Sequence, residues 1–126
     1  QNPDLTPDQR NQTWLELEHK YRPWIDFDNL PFYGRGAGWQ RQLHIYECPF
    51  YYIDYCLSTM AALQFFLLSL HDQKDAWARY LRLVRRAGTA SYTELCETAG
   101  LQVPFRDGSI KAIAQQMSQW IAGHQV

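Results

Sequence analysis

The chain has no excess of charge of either sign: twelve Lys and Arg against thirteen Asp and Glu leave a formal net charge of −1 at pH 7. A balanced surface gives no electrostatic footprint for a nucleic acid or an anionic membrane, so neither is an expected partner. Cysteine is scarce too. Cys48, Cys56 and Cys96 are odd in number and widely spaced, which fits a reducing, cytoplasmic setting better than a disulfide framework. Long hydrophobic runs are missing: the most apolar, Cys56 to Leu70, covers 15 residues and contains Gln64, whereas a bilayer span needs about 20. A buried helix is expected there instead. No signal peptide is recognisable, and the chain opens on Gln1 rather than Met, so a processed product and a piece of a longer polypeptide both stay open. Histidine pairs at metal-ligand spacing are also lacking. None of His19, His44, His71 and His124 lies four residues from another, and His44 with Glu47 has no evident third ligand, so a zinc site within this chain is not expected.

What is present is apolar and aromatic. Hydrophobic residues make up 46% and charged residues 20% of 126 positions, with five Trp, eight Tyr and six Phe. That is a globular composition and, by length, a single domain spanning residues 1–126. Local signals predict helices throughout. Thr6-Pro7-Asp8-Gln9 is a capping box with Pro at the first helical position, opening a helix to about Tyr21 with Trp14, Leu17 and Tyr21 on one stripe. Residues 22–43 read as a long irregular loop carrying Trp24, Phe27, Phe32, Tyr33 and Trp39 among Pro and Gly, and loops of that kind are often functional. Pro49 predicts the first turn of an apolar helix running to about His71, placed in the middle of a bundle by its lack of a polar face. Asp72 or Asp75 caps a third helix ending at Gly88. Ser91-Tyr92-Thr93-Glu94 is a second capping box, opening a short helix to Ala99 before Gly100. The last helix covers Asp107 to Ala122, with Ile110, Ile113, Ala114, Met117, Trp120 and Ile121 on its apolar face. No segment reads as a strand. The predicted fold class is an all-α bundle of about five helices with one long aromatic- and Gly-rich loop.

The chemistry concentrates between His44 and Tyr55, where one histidine and four tyrosines fall within twelve residues. Phenols and an imidazole are donors suited to a carbonyl oxygen gaining negative charge. On a helix opening at Pro49, Tyr51 and Tyr55 are i, i+4 neighbours and Tyr52 and Tyr55 are i, i+3 neighbours, so their hydroxyls converge, with His44 folding over the helix N-terminus. The competing reading is that tyrosines at helical spacing are packing aromatics with wet hydroxyls. Elsewhere, Gly34-Arg35-Gly36-Ala37-Gly38 follows no strand and precedes no Lys-Ser/Thr. It reads as a surface turn or as a flexible loop contacting substrate through Gly36 and Gly38, not as a phosphate loop. Cys48 and Cys56 read as inert thiols and Arg82, Arg85 and Arg86 as a solvated face. Asp54 reads as a capping or ion-pairing residue. His19, His71 and His124 read as helix-end residues.

The run Trp39-Gln40-Arg41-Gln42-Leu43-His44-Ile45-Tyr46-Glu47, followed by Pro49-Phe50-Tyr51-Tyr52-Ile53-Asp54-Tyr55-Cys56-Leu57, resembles the C-terminal part of oligoendopeptidase F, a member of the thimet-oligopeptidase-like zinc metallopeptidases. Flanking stretches at Thr6–Glu18 and Tyr92–Phe105 resemble the same family. The resemblance implies a helical peptidase acting on short peptides in a deep channel, with zinc held by an HExxH helix and a downstream glutamate. It implies that Tyr55 donates to the oxyanion, that Tyr52 is a second donor, that His44 bonds the substrate and that Tyr51 contacts it. The HExxH segment is absent here, so the resemblance implies zinc in a full-length parent and none bound by this chain, which alone is expected to be inactive. The remainder of the parent is the implied partner. A non-catalytic helical module that binds a partner or a second copy of itself is the alternative.

Overall fold

The computed structural model describes residues 4–27 and 29–124, and among them every regular element is helical. Six α-helices follow in order: α1 (Pro7–Tyr21), α2 (Leu43–Glu47), α3 (Tyr52–His71), α4 (Gln73–Arg86), α5 (Tyr92–Ala99) and α6 (Ser109–Ala122), with a 3₁₀ turn at Ala37–Arg41. The chain divides into two compact units, Gln1–Tyr52 and Ile53–Val126.

In the first unit, α1 begins where its capping box places it. The Gln9 N–H donates to Thr6 Oγ1 at 3.3 Å, and the Thr6 N–H donates to Gln9 Oε1 at 2.9 Å. These two bonds satisfy donors that a helix start leaves open. The 22–43 segment is not a loose loop. Its glycines press it onto α1: Gly36, at φ 76°, lies so near the helix that a Cβ there would come within 2.0 Å of the Asn11 carbonyl oxygen. Gly38 sits against the Trp14 indole, and Trp39 Nε1 donates to Asn11 Oδ1 at 2.8 Å. Phe27 and Ala37 are buried, and Tyr33 packs between Phe27 and Phe32. The surface turn expected at residues 34–38 is thus corrected: Gly36, Ala37 and Gly38 are buried. The stripe on α1 is less enclosed than its period suggests, since Leu17 and Tyr21 remain exposed.

The second unit has a small core of Cys96, Ala99, Leu101 and Val103, against which Ala61, Phe65, Leu68, Leu83 and Tyr92 pack. Ala61, Phe65 and Leu68 recur at i, i+4 and i+7, so one face of α3 meets this core. Gln64 lies on the same side. It is buried, and its amide grips the backbone of one residue: Nε2 donates to the Gln102 carbonyl at 3.0 Å, and the Gln102 N–H donates to Oε1 at 2.7 Å. Tyr92 donates its hydroxyl to the Leu57 carbonyl at 2.9 Å. Burial, with the Cys96 thiol beside it, drives the Tyr92 phenol well above its ordinary range, and burial also raises the Cys96 thiol. Asp72 caps α4 through a 3.0 Å bond from the Asp75 N–H. Ser91 and Glu94 close the box that opens α5, and the bond from Ser91 holds the Glu94 carboxyl below its usual range.

Three expectations are revised. The apolar helix begins at Tyr52, not Pro49, because Phe50 takes φ 72° and a residue in that left-handed region cannot lie in a right-handed helix. The final helix begins at Ser109, two residues late, because Gly108 at φ 79° sets its start. Nor is α3 enclosed by this chain: Gln64 is its single buried residue, and Ile53, Tyr55 and Leu70 are exposed. By length and composition α3 is also able to cross a membrane, with a mean hydropathy of 1.5 over its most apolar window. Its packing and its Gln64 clamp instead engage protein.

Candidate functional site

Helix α2 is only five residues long, and the chain reverses immediately after it. The Cys48 N–H bonds to the His44 carbonyl at 3.1 Å, and the Tyr51 N–H bonds to the Cys48 carbonyl at 3.1 Å. With Phe50 in the left-handed region between them, this turn brings the chain back over His44. The Tyr51 ring lies parallel to the imidazole, with centroids 5.4 Å apart and an interplanar angle of 4°. The Tyr52 ring meets it edge-on at 4.8 Å. His44, Tyr51 and Tyr52 therefore form one cluster, arranged as aromatic contacts rather than as a metal-ligand set. Stacking orients the imidazole through its faces.

Tyr52 is tied by a second contact. Its hydroxyl donates to Gln42 Oε1 at 2.5 Å. Nothing in the spacing of Gln42 from Tyr52 announces this loop-to-helix hydrogen bond in the sequence. The only hint was its place two residues before His44. Gln42 is well anchored: its N–H bonds to the Trp39 carbonyl at 3.0 Å and its carbonyl accepts from the Ile45 N–H at 2.9 Å. Its side chain lines a cavity of about 240 Å³ together with Trp14, Glu18, Tyr33 and Arg41. In that cavity Glu18 is buried and paired with Arg22, and Arg41 lies over the Tyr33 ring.

Tyr55 stands in the first turn of α3, in the second unit, half exposed. The helix starts at Tyr52, so Tyr51 lies just before α3, while Tyr52 and Tyr55 keep their i, i+3 spacing in its first turn. Asp54 shares that first turn, where a carboxylate complements the helix dipole. Gly36 and Gly38 lie against α1, and that close approach accounts for a glycine at both positions. Cys48 and Cys56 are exposed thiols and Cys96 a buried one. Arg82 and Arg86 are not merely solvated, since both reach Thr98 on α5, at 3.4 and 3.1 Å. Among the described residues no three His, Cys, Asp or Glu side chains gather as metal ligands.

Comparison with solved structures gives two strong matches. One protein assigned as oligoendopeptidase F superposes with a TM-score of 0.90 at 40% identity, covering 98% of this chain and 22% of its own. PZ peptidase A, solved with an inhibitor, superposes with a TM-score of 0.90 at 41% identity and with the same coverage. The chain thus spans about a fifth of the length of the peptidases it matches. No protein-family model and no curated protein matches it.

Proposed function

From a chain that corresponds over 98% of its length to a part of oligoendopeptidase F, we propose that it forms the substrate-holding wall of a zinc-dependent oligoendopeptidase hydrolysing short peptides. The observation that carries this reading is the packing of Tyr51 and Tyr52 on His44, inside a chain 40% identical to the matching part of a protein assigned as oligoendopeptidase F. Zinc, held by residues outside this chain, would supply the Lewis acid and the activated water. The residues here hold and polarise. Tyr55 donates to the carbonyl oxygen as it becomes an oxyanion, His44 bonds the bound peptide, and Tyr51 and Tyr52 set the imidazole plane and line the wall. By this reading the chain alone does not hydrolyse peptides. Three free thiols suit a cytoplasmic home.

The test is Tyr55→Phe in the full-length peptidase. Loss of one oxyanion donor lowers kcat by about 10²–10³-fold, or about 3–4 kcal/mol, while bound zinc is unchanged. Full turnover on several peptides would sink the oxyanion role.

A second reading, a non-catalytic helical module that associates with itself, has one observation in its favour. The chain exposes Trp24, Phe50, Trp77 and much of α3, more apolar surface than a monomer tolerates well. Covering by the rest of a peptidase explains the same surface, because the matched chains are several times longer. Light scattering on the full-length protein separates the two: a monomer active on peptides supports the first, an inactive oligomer the second.

A further inference from the structure

We propose that the groove between α3 and α4 is a docking site for one helix of the same polypeptide, contributed by the part of the parent protein that lies outside this chain. It rests on the chain being a piece of a longer protein, not on the roles given to His44 or Tyr55. A single residue, Asp72, separates α3 from α4, so the two helices form an elbow. Inside it lies a groove of about 1000 Å³, lined by Phe65, Phe66, Ser69, Ala76, Trp77 and Tyr80. Its rings are already set. Phe65 meets Tyr80 edge-on across the elbow at 5.5 Å, Trp77 stacks on Tyr80 at 5.3 Å, and Phe66 meets Trp120 of α6 edge-on at 4.9 Å. Yet Trp77 keeps 59% and Tyr80 41% of full exposure. Rings held in place by one another lose little freedom when a partner covers them, so burying them favours association.

Three observations select the occupant. The first is size: about 1000 Å³ accommodates about two turns of an α-helix, which is about 10–12 Å across. The second is polarity. Ser69 Oγ donates to the Phe66 carbonyl at 2.7 Å, and the Asp72 carboxylate accepts from the Asp75 N–H at 3.0 Å, so both serve their own helices. His71, Gln73 and Lys74 are exposed where α3 gives way to α4, and suit a polar rim. An extended peptide would bring unpaired main-chain groups onto a mostly aromatic surface, and a small ligand would meet ring faces rather than converging polar groups. A helix bonds its own backbone and needs only an apolar stripe to fit. The third is chain length. The match to known peptidases covers 98% of this chain but 22% of theirs, so most of such a polypeptide is left to supply the helix. A helix tethered to the groove also outcompetes a second molecule through its effective concentration.

The test uses the full-length protein and two measurements. Hydroxyl-radical footprinting needs no substitution: Trp77 should be oxidised at least about 10-fold more slowly in the native protein than in the denatured one. In a second sample, Tyr80→p-benzoylphenylalanine places a photo-cross-linker in the groove, and the cross-link should land within the same molecule, on a helical segment outside the 126 residues. Trp77 oxidised equally fast in native and denatured protein overturns the proposal, because the groove is then open. So does protection that requires phosphatidylcholine vesicles or an added peptide. A cross-link that doubles the mass assigns the groove to a second copy, and one that returns into residues 1–126 assigns it to this chain; either overturns it. Neither readout depends on peptide cleavage. A full-length protein that cleaves no peptide but gives the expected cross-link therefore sinks the peptidase reading and leaves this one standing.

Discussion

The two compact units treat polar side chains in opposite ways. In residues 53–124 polar groups turn inward onto backbone: Gln64 grips Gln102, Tyr92 reaches the Leu57 carbonyl, and Ser109 Oγ bonds the Pro104 carbonyl at 3.0 Å. Each satisfies a group that burial would otherwise penalise, so these side chains specify packing and have little left for a ligand. In residues 4–52 the polar and aromatic groups of the His44 cluster stay partly exposed, with Tyr51 and Tyr52 at 44% and 47% of full exposure. There the packing is done by backbone instead, through glycines that let the 34–38 segment touch α1. The side chains of the candidate site thus stand on a frame packed through its backbone, an arrangement that lets a site be polar without unfolding its support.

The largest expected effect falls on that backbone frame. In Gly36→Ala the new methyl meets the Asn11 carbonyl, a main-chain atom of α1 that cannot rotate away, and the position also demands φ 76°. Overpacking and a left-handed L-residue together should destabilise the first unit by about 3–4 kcal/mol. Amide hydrogen exchange on the full-length protein should show α1 opening about 100–1,000-fold more readily, with α5 unaffected. Equal loss in α5 would mean that the two units are not separate in stability, and the comparison would have to be given up.

That glycine also marks where the sequence stops being readable. Helix α1 and α5 were legible at their starts, because a capping box is a pattern of four residues that satisfies its own hydrogen bonds. The expectation for α3 was wrong at its start because Pro49 obeys a local rule that Phe50 breaks, and the tertiary turn decides φ at Phe50. Helix α2 escaped notice because five residues show no period. The cluster of His44, Tyr51 and Tyr52 was visible as composition, and its aromatic packing was not, since that depends on a reversal at residues 48–51. Gln42 was invisible as a partner for the same reason. The fate of α3 lies at a third level: an apolar helix signals burial, yet Gln64 is the one residue of α3 that this chain buries.

A middle-sized effect tests the inward-turned polar groups. Gln64→Leu keeps the volume and apolarity of α3 but abandons both the N–H and the carbonyl of Gln102. Leaving two buried backbone groups unsatisfied should cost about 2–3 kcal/mol, seen as a lower denaturation midpoint and rapid exchange of the Gln102 amide. A neutral result would mean that water reaches Gln102 readily, and the second unit would no longer differ from the first in how it treats polar groups.

The smallest expected effect sits on the turn that builds the candidate site. Phe50 is 87% exposed and holds φ 72°, so within this chain its side chain contributes almost no burial while its backbone bears the strain of the left-handed region. Glycine adopts that conformation without a Cβ penalty but loses more entropy on folding, so Phe50→Gly should stabilise the turn by about 0.5 kcal/mol. His44, Tyr51 and Tyr52 should keep their packing, and peptide turnover should change less than 2-fold, roughly the reach of so small a shift. The alternative outcome is as informative. If Phe50→Gly destabilises the full-length protein by more than about 2 kcal/mol, the ring is buried there by another segment. Phe50 would then be an anchor for the rest of the peptidase rather than a strained bystander, and the strain at its backbone would be offset by burial that this chain does not supply.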